Sequence, residues 1–98
     1  MHQIELHPDA AIEVEETVSW YEEKVKGLGL EFLNEFEDVL KKIVHSPNFW
    51  LKYKFGTYRF FLHRFPYAVI YRSSKKKIQI VAVMHLHRKP FYWRSRKQ

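Results

Sequence analysis

Apolar positions recur along the first half of this chain at helical spacing. Ala11, Val14, Val18, Tyr21 and Val25 follow one another at steps of three and four, which lays a single stripe along a helix. His7-Pro8-Asp9 opens that helix. Proline suits a first turn, where its missing N–H is no loss, and Asp9 faces the positive end of the helix dipole. Phe32, Leu33, Phe36, Val39, Leu40 and Ile43 repeat the pattern over about residues 30–45, and Ser46-Pro47-Asn48 stops it. Lys26-Gly27-Leu28-Gly29 joins the two stretches, with glycine available for a left-handed cap. So short a link predicts an antiparallel helical hairpin, whose apolar faces need a sheet to cover.

The period then changes to that of strands. Gln3-Ile4-Glu5-Leu6 alternates and predicts a short strand at the start. Residues 49–55 are aromatic and lysine-bearing, a short irregular strand or loop turned by Gly56-Thr57. Over residues 58–64, alternation places Tyr58, Phe60 and Leu62 beneath the helices and Arg59, Phe61 and His63 on the open face. Pro66 cannot donate to a ladder and marks the turn into the next strand, residues 67–72. A solvated loop, Ser73-Ser74-Lys75-Lys76-Lys77, leads to residues 78–84, a near-continuous β-branched run read as central and buried on both faces. The order β-α-α-β-β-β predicts one α+β domain over residues 1–98 with a mainly antiparallel sheet. In this reading the hairpin of residues 58–71 is the floor of a cationic site. The tail, residues 85–96, is its other wall, and the helices are its support.

Charge sharpens the picture. All eleven acids lie in residues 1–38 beside only Lys24 and Lys26, while the other fifteen Lys and Arg lie in residues 39–98, which hold no acid. A basic end of that size attracts polyanions, chiefly nucleic acid, or an acidic protein. Glu13, Glu15, Glu16, Glu22 and Glu23 fall mostly off the apolar stripe and read as a solvated helix face. The absence of cysteine excludes disulfides, thiol catalysis and thiolate metal sites. No run is long and apolar enough to span a bilayer and no export leader is visible, so a cytoplasmic protein is expected.

The candidate chemistry sits at the basic end. Arg59 and Arg64 belong to the hairpin, His85-Leu86-His87-Arg88-Lys89-Pro90 leaves the last strand, and Phe91-Tyr92-Trp93-Arg94 interleaves aromatics with cations. Guanidinium groups fork onto phosphate and aromatic faces stack on splayed bases, so the interleaving suits RNA. Metal-free cleavage of RNA needs a base, an acid and cations for the charge of the transition state. His85 or His87, with Arg64, Arg88 and Tyr92, could fill those roles; the plainer reading is that both histidines are surface residues at a strand end. His63, His85 and His87 make a poor metal site in so cationic a surround, and neither metal nor cofactor is expected.

Arg64-Phe65-Pro66-Tyr67 with Ile70-Tyr71, Ala82-Val83-Met84-His85, and Arg88-x-Pro90-x-Tyr92-Trp93 resemble the RelE/ParE toxin superfamily of bacterial toxin–antitoxin, or plasmid stabilisation, modules. Trp20-Tyr21 and Gly27-x-Gly29-x-x-Phe32 match as well. The resemblance implies two helices packed on a small, mainly antiparallel sheet. It also implies a growth-inhibiting toxin held inactive by an acidic antitoxin. In the RelE-like branch the toxin is an endoribonuclease that cuts mRNA in the ribosomal A site. Arg64, Arg88 and Tyr92 match its catalytic positions, with His85 added. RNA contacts would come from Lys52, Lys54, Arg59, His87 and Arg94. The alternatives are a non-catalytic inhibitor of DNA gyrase, as in the ParE-like branch, and a non-toxic nucleic-acid or protein-binding module.

Overall fold

The computed structural model describes residues 3–97. Met1, His2 and Gln98, the ends of the single domain expected from the sequence, lie outside the described residues. In chain order the elements are β1 (Gln3–Leu6), α1 (Pro8–Lys24), α2 (Leu28–His45), β2 (Leu51–Lys52), β3 (Tyr58–Phe61), β4 (Tyr67–Ser73) and β5 (Lys77–His85). They form one five-stranded sheet of order β1-β5-β4-β3-β2. Only the β1–β5 pair is parallel, so the sheet is mainly antiparallel, as expected. The aromatic stretch before Gly56 contributes β2, a two-residue edge strand.

The helical hairpin depends on two glycines with different duties. Gly27 takes φ +89°, a backbone that favours glycine. Gly29 allows α2 to approach α1 closely, because a Cβ there would stand 2.5 Å from the Val18 carbonyl oxygen. The Glu22 carboxylate accepts from the N–H of both glycines, at 2.8 and 3.0 Å, and so ties the turn to α1. The stripe on α1 differs from expectation. Ala10, Glu13, Val14 and Thr17 are its buried residues, and Val25 lies past the helix end and exposed.

Phe32, Phe36, Val39 and Ile43 of α2 pack on Val69, Tyr71, Ile78, Ile80 and Val83 to make the main core. Tyr58, Phe60 and Leu62 join it, on the side their alternation predicted. A second, smaller core fills the other face, where Trp93 sits on Ala68, Ile70, Val81, Ala82 and Met84. A bulge connects the two. Tyr71 pairs with Ile80 and Ile70 with Ala82, which leaves Val81 as an extra residue. Val81 and Ala82 therefore both face the second core, and Val83 returns to the helix side. The bulge thus sets the parity that brings His85, two residues on, to the α1 side of the sheet.

Candidate functional site

Where β1 ends, at Leu6 opposite Ile80, β5 continues to His85 and its edge is covered by α1 instead of a strand. Glu13 makes that cover. Its carboxylate, only 10% exposed, accepts from the Val83 N–H (2.9 Å), the Tyr92 hydroxyl (2.7 Å), Arg88 (3.2 Å) and both terminal nitrogens of Arg96 (3.0 and 2.9 Å). Asp9, one turn earlier, lies 3.7 Å from Arg96. The acidic and basic ends of the chain thus meet at this seam. Glu13 is not part of a solvated face, and α1 is more than a support: it supplies a wall of the site. A carboxylate can be buried here because every oxygen is hydrogen-bonded and two guanidinium groups neutralise it.

The chain turns sharply after β5. The Arg88 N–H donates to the His85 carbonyl (3.0 Å) and the Leu86 N–H to the Pro66 carbonyl (2.9 Å). This folds Arg88 back over the strand end, with its guanidinium 3.7 Å from the centre of the Tyr92 ring. The His85 ring meets Tyr67 edge-on at 5.0 Å, and its Nδ1 accepts from the His87 N–H at 3.0 Å. With Nδ1 accepting, Nε2 is the nitrogen through which the ring presents a donor. His85 and Arg88, with Glu13, Glu16, Trp20 and Tyr67, line a cleft of about 520 Å³ between α1 and the sheet end.

Burial pushes the Tyr92 phenol well above the ordinary tyrosine value. The hydrogen bond to Glu13 and the charge of Glu13 add to the rise, and Arg88 and Arg96 oppose it. Tyr92 is therefore a proton donor at neutral pH, not a base. For Arg96, burial works to lower the value, but the hydrogen bonds and charge of Glu13, with Tyr92 and Asp9, hold it above the ordinary range. Alkaline stability depends on this tyrosine. In the unfolded chain Tyr92 loses its proton near about pH 10, while the folded chain keeps it, so above that pH the unfolded state binds fewer protons and stability falls. Urea unfolding between about pH 9 and pH 11 is expected to show this fall, and Tyr92→Phe is expected to make it shallower. Tyr71, raised mainly by burial and then by Tyr58, keeps its own share of the slope in that variant.

The four expected catalytic residues divide. Arg88 and Tyr92 are joined through Glu13, and His85 lines the same cleft as Glu13 and Arg88. Arg64 stands apart on the β3–β4 turn, paired with Glu31 of α2 at 2.6 Å and outside the cleft lining. Glu35 fixes that turn by accepting from the His63 and Arg64 N–H groups. The expected RNA contacts also divide. Arg59 lies on the open face, 4.0 Å from the Tyr53 ring and 4.7 Å from Phe61, with its Nε buried and without a hydrogen-bond partner. Arg94 lies 4.2 Å over Phe55, and Lys52 and Lys54 are exposed beside them on the β2 edge. Phe55, Phe91, Trp93 and Tyr53 form the aromatic bed of this second neighbourhood. His87 is exposed, beside His85. Among the described residues no three His, Asp or Glu side chains gather as metal ligands do.

Sequence reasoning missed Glu13. A signal was present: Ala10, Glu13 and Thr17 share one line along α1, immediately beside the apolar stripe.

No family model matches the chain, and no curated protein matches it by sequence. Among solved structures, a chain of the chromosomal ParDE TA system from P. aeruginosa aligns with a TM-score of 0.78 at 18% sequence identity, over 89% of this chain and 98% of that one. At that identity the likeness is one of fold. The chain has the RelE/ParE-like α+β fold that its hairpin and tail motifs resemble.

Proposed function

We propose that the chain is the toxin of a toxin–antitoxin pair and that it acts in the cytoplasm by cutting mRNA on the ribosome. The ParDE fold likeness supports the first part. The observation that carries the second is that His85 and Arg88 line one cleft beside Glu16, with the Arg88 guanidinium stacked on the Tyr92 ring. In such a cut, a ribose 2′-oxygen gives up its proton and attacks the adjacent phosphorus, the bond to the 5′-oxygen breaks, the leaving 5′-oxygen takes a proton from solvent, and charge gathers on the phosphoryl oxygens. Arg88 and the Nε2–H of His85 stabilise that charge, and fixed donors aimed at developing charge are the strongest means a site without metal has of lowering the barrier. The protonated Tyr92 orients the Arg88 guanidinium. Glu16 lines the cleft, and its carboxylate has no hydrogen-bond or ion-pair partner among the described residues, so it is the acceptor for the 2′-OH proton. An acidic antitoxin covers the basic face. No helix of the described residues is long and apolar enough to cross a membrane.

Gyrase inhibition without catalysis has its own support. Glu13 already neutralises much of the charge of Arg88 and Arg96, and Arg64 lies outside the cleft. Cell-free translation separates the readings, with reporter mRNA length and protein yield followed together. The expected result is mRNA cut only while it is translated, and loss of cutting in His85→Ala, Arg88→Ala and Glu16→Gln with their folds intact. Intact mRNA and undiminished translation would overturn the RNA reading, and a supercoiling assay with gyrase would then decide.

A further inference from the structure

A second groove, of about 590 Å³, lies across the sheet from the cleft, between the β4–β5 turn and the end of the tail. Its lining is Arg72, Ser73, Ser74, Lys77, Gln79, Arg94, Arg96 and Lys97 with Gly56. Five of these nine residues are cationic, none is acidic, and none is aliphatic or aromatic. Lys77 is paired with Glu5 at 3.1 Å, and Arg96 with Glu13 at 2.9 Å. Arg72, Arg94 and Lys97 make no ion pair among the described residues.

The cations are held, not loose. Arg72 donates to Gln79 Oε1 and to the Arg96 carbonyl, each at 3.4 Å, which fixes one edge of its guanidinium. Ser74 closes the turn by bonding the Lys77 carbonyl through both its N–H (2.9 Å) and its hydroxyl (3.2 Å). Arg94 rests on Phe55 at 4.2 Å. Like charges fixed at one groove repel one another, and an anion relieves that repulsion.

We propose that this groove clamps the phosphodiester backbone of an RNA strand, at a site separate from the His85–Arg88 cleft. The chemistry of the lining favours a backbone over an acidic protein segment. Every side chain that lines the groove is a hydrogen-bond donor of the kind that meets phosphate. An acidic peptide would also bring apolar side chains, and no aliphatic or aromatic residue lines the groove to receive them. Arg94 belongs both to the groove and, through Phe55, to the aromatic bed that holds Tyr53, Phe91 and Trp93. A strand held by its phosphates in the groove is thereby led to rings on which its bases can stack. The clamp rests on the reading that RNA is the target, and it reads no sequence itself.

The test is fluorescence anisotropy with a labelled single-stranded RNA oligonucleotide of mixed sequence, titrated over a series of salt concentrations. Lys97→Gln, whose exposed side chain makes no ion pair among the described residues, is the first variant. Arg72→Gln combined with Lys97→Gln is the second, with circular dichroism to verify the fold. Each lost phosphate contact is expected to lower the slope of log affinity against log salt by about 0.7, so the double variant loses about 1.4. Lys41→Gln, on the exposed side of α2 and outside both the cleft and the groove, is expected to bind RNA as the parent does. An unchanged slope in both variants overturns the clamp. So does displacement of the RNA by polyglutamate at matched charge, or tighter binding of DNA of the same sequence. If the variants weaken RNA binding while the parent leaves translated mRNA intact, the clamp stands and the cleavage reading falls. If cutting persists with slopes unchanged, the clamp alone falls.

Discussion

Glu13→Ala is expected to lower folding stability by about 3–5 kcal/mol, the range seen when one partner of a buried ion pair is removed. Four donors depend on that carboxylate: the Val83 N–H, the Tyr92 hydroxyl and the guanidinium groups of Arg88 and Arg96. Arg88, 52% exposed, recovers water when Glu13 is lost. Arg96, 13% exposed, does not, and its charge is left with Asp9 at 3.7 Å as the remaining acid. Urea unfolding followed by tryptophan fluorescence measures the effect. A double-mutant cycle with Arg96→Ala identifies its source: the double variant should be less damaged than the sum of the singles, because the stranded charge is gone. Glu31→Ala is the comparison, since its pair with Arg64 is about half exposed on both sides and worth about 0–1 kcal/mol. A loss at Glu13 no larger than at Glu31 would mean that the seam does not hold the tail to α1.

That contrast shows what the sequence could and could not disclose. Alternation placed Tyr58, Phe60 and Leu62 toward the helices, because a strand with one face on a core has only one admissible phase. The same logic failed over residues 78–84. A continuous apolar run carries no phase, so the bulge at Val81, and with it the side of the sheet that His85 occupies, left no mark in the pattern. Glu13 was misread for a related reason. Carboxylates on a helix are usually solvated, and only the partners it meets from the far end of the chain justify its burial. The contact of Arg88 with Tyr92 was legible in the interleaving of cations and aromatics there. Arg64 was legible only by type: nothing local says that Glu31 of α2 will stand 2.6 Å from it. Long-range pairing is the part of a fold that local spacing does not encode.

Trp93→Ala is expected to cost about 3–5 kcal/mol, as truncation of a fully buried aromatic does. The indole is wholly buried, and its seat is made by two small residues of adjacent strands, Ala68 and Ala82, with Ile70, Val81 and Met84 around them. Tyr53, Phe55 and Phe91 close the outside, their ring centres 6.1, 6.3 and 6.0 Å from the indole. Phe91 and Phe55 both hold left-handed backbones, at φ 63° and 61°, a conformation that costs a residue with a side chain and persists only under packing. Without the indole that packing goes, and the segment carrying Arg88, Tyr92, Arg94 and Arg96 loses its seat on the sheet. Trp93→Phe should cost less, since a ring still fills the site and the Nε1–H, buried without a hydrogen-bond partner, is removed. Urea unfolding gives the energies, and native-state hydrogen exchange gives the location. In Trp93→Ala, amides of residues 86–97 should exchange faster than those of β4 and β5 by a wider margin than in the parent. A small loss of stability with unchanged tail protection would show that the second core is not what fixes the tail. The Glu13 seam would then be its main anchor, and Glu13→Ala should release it.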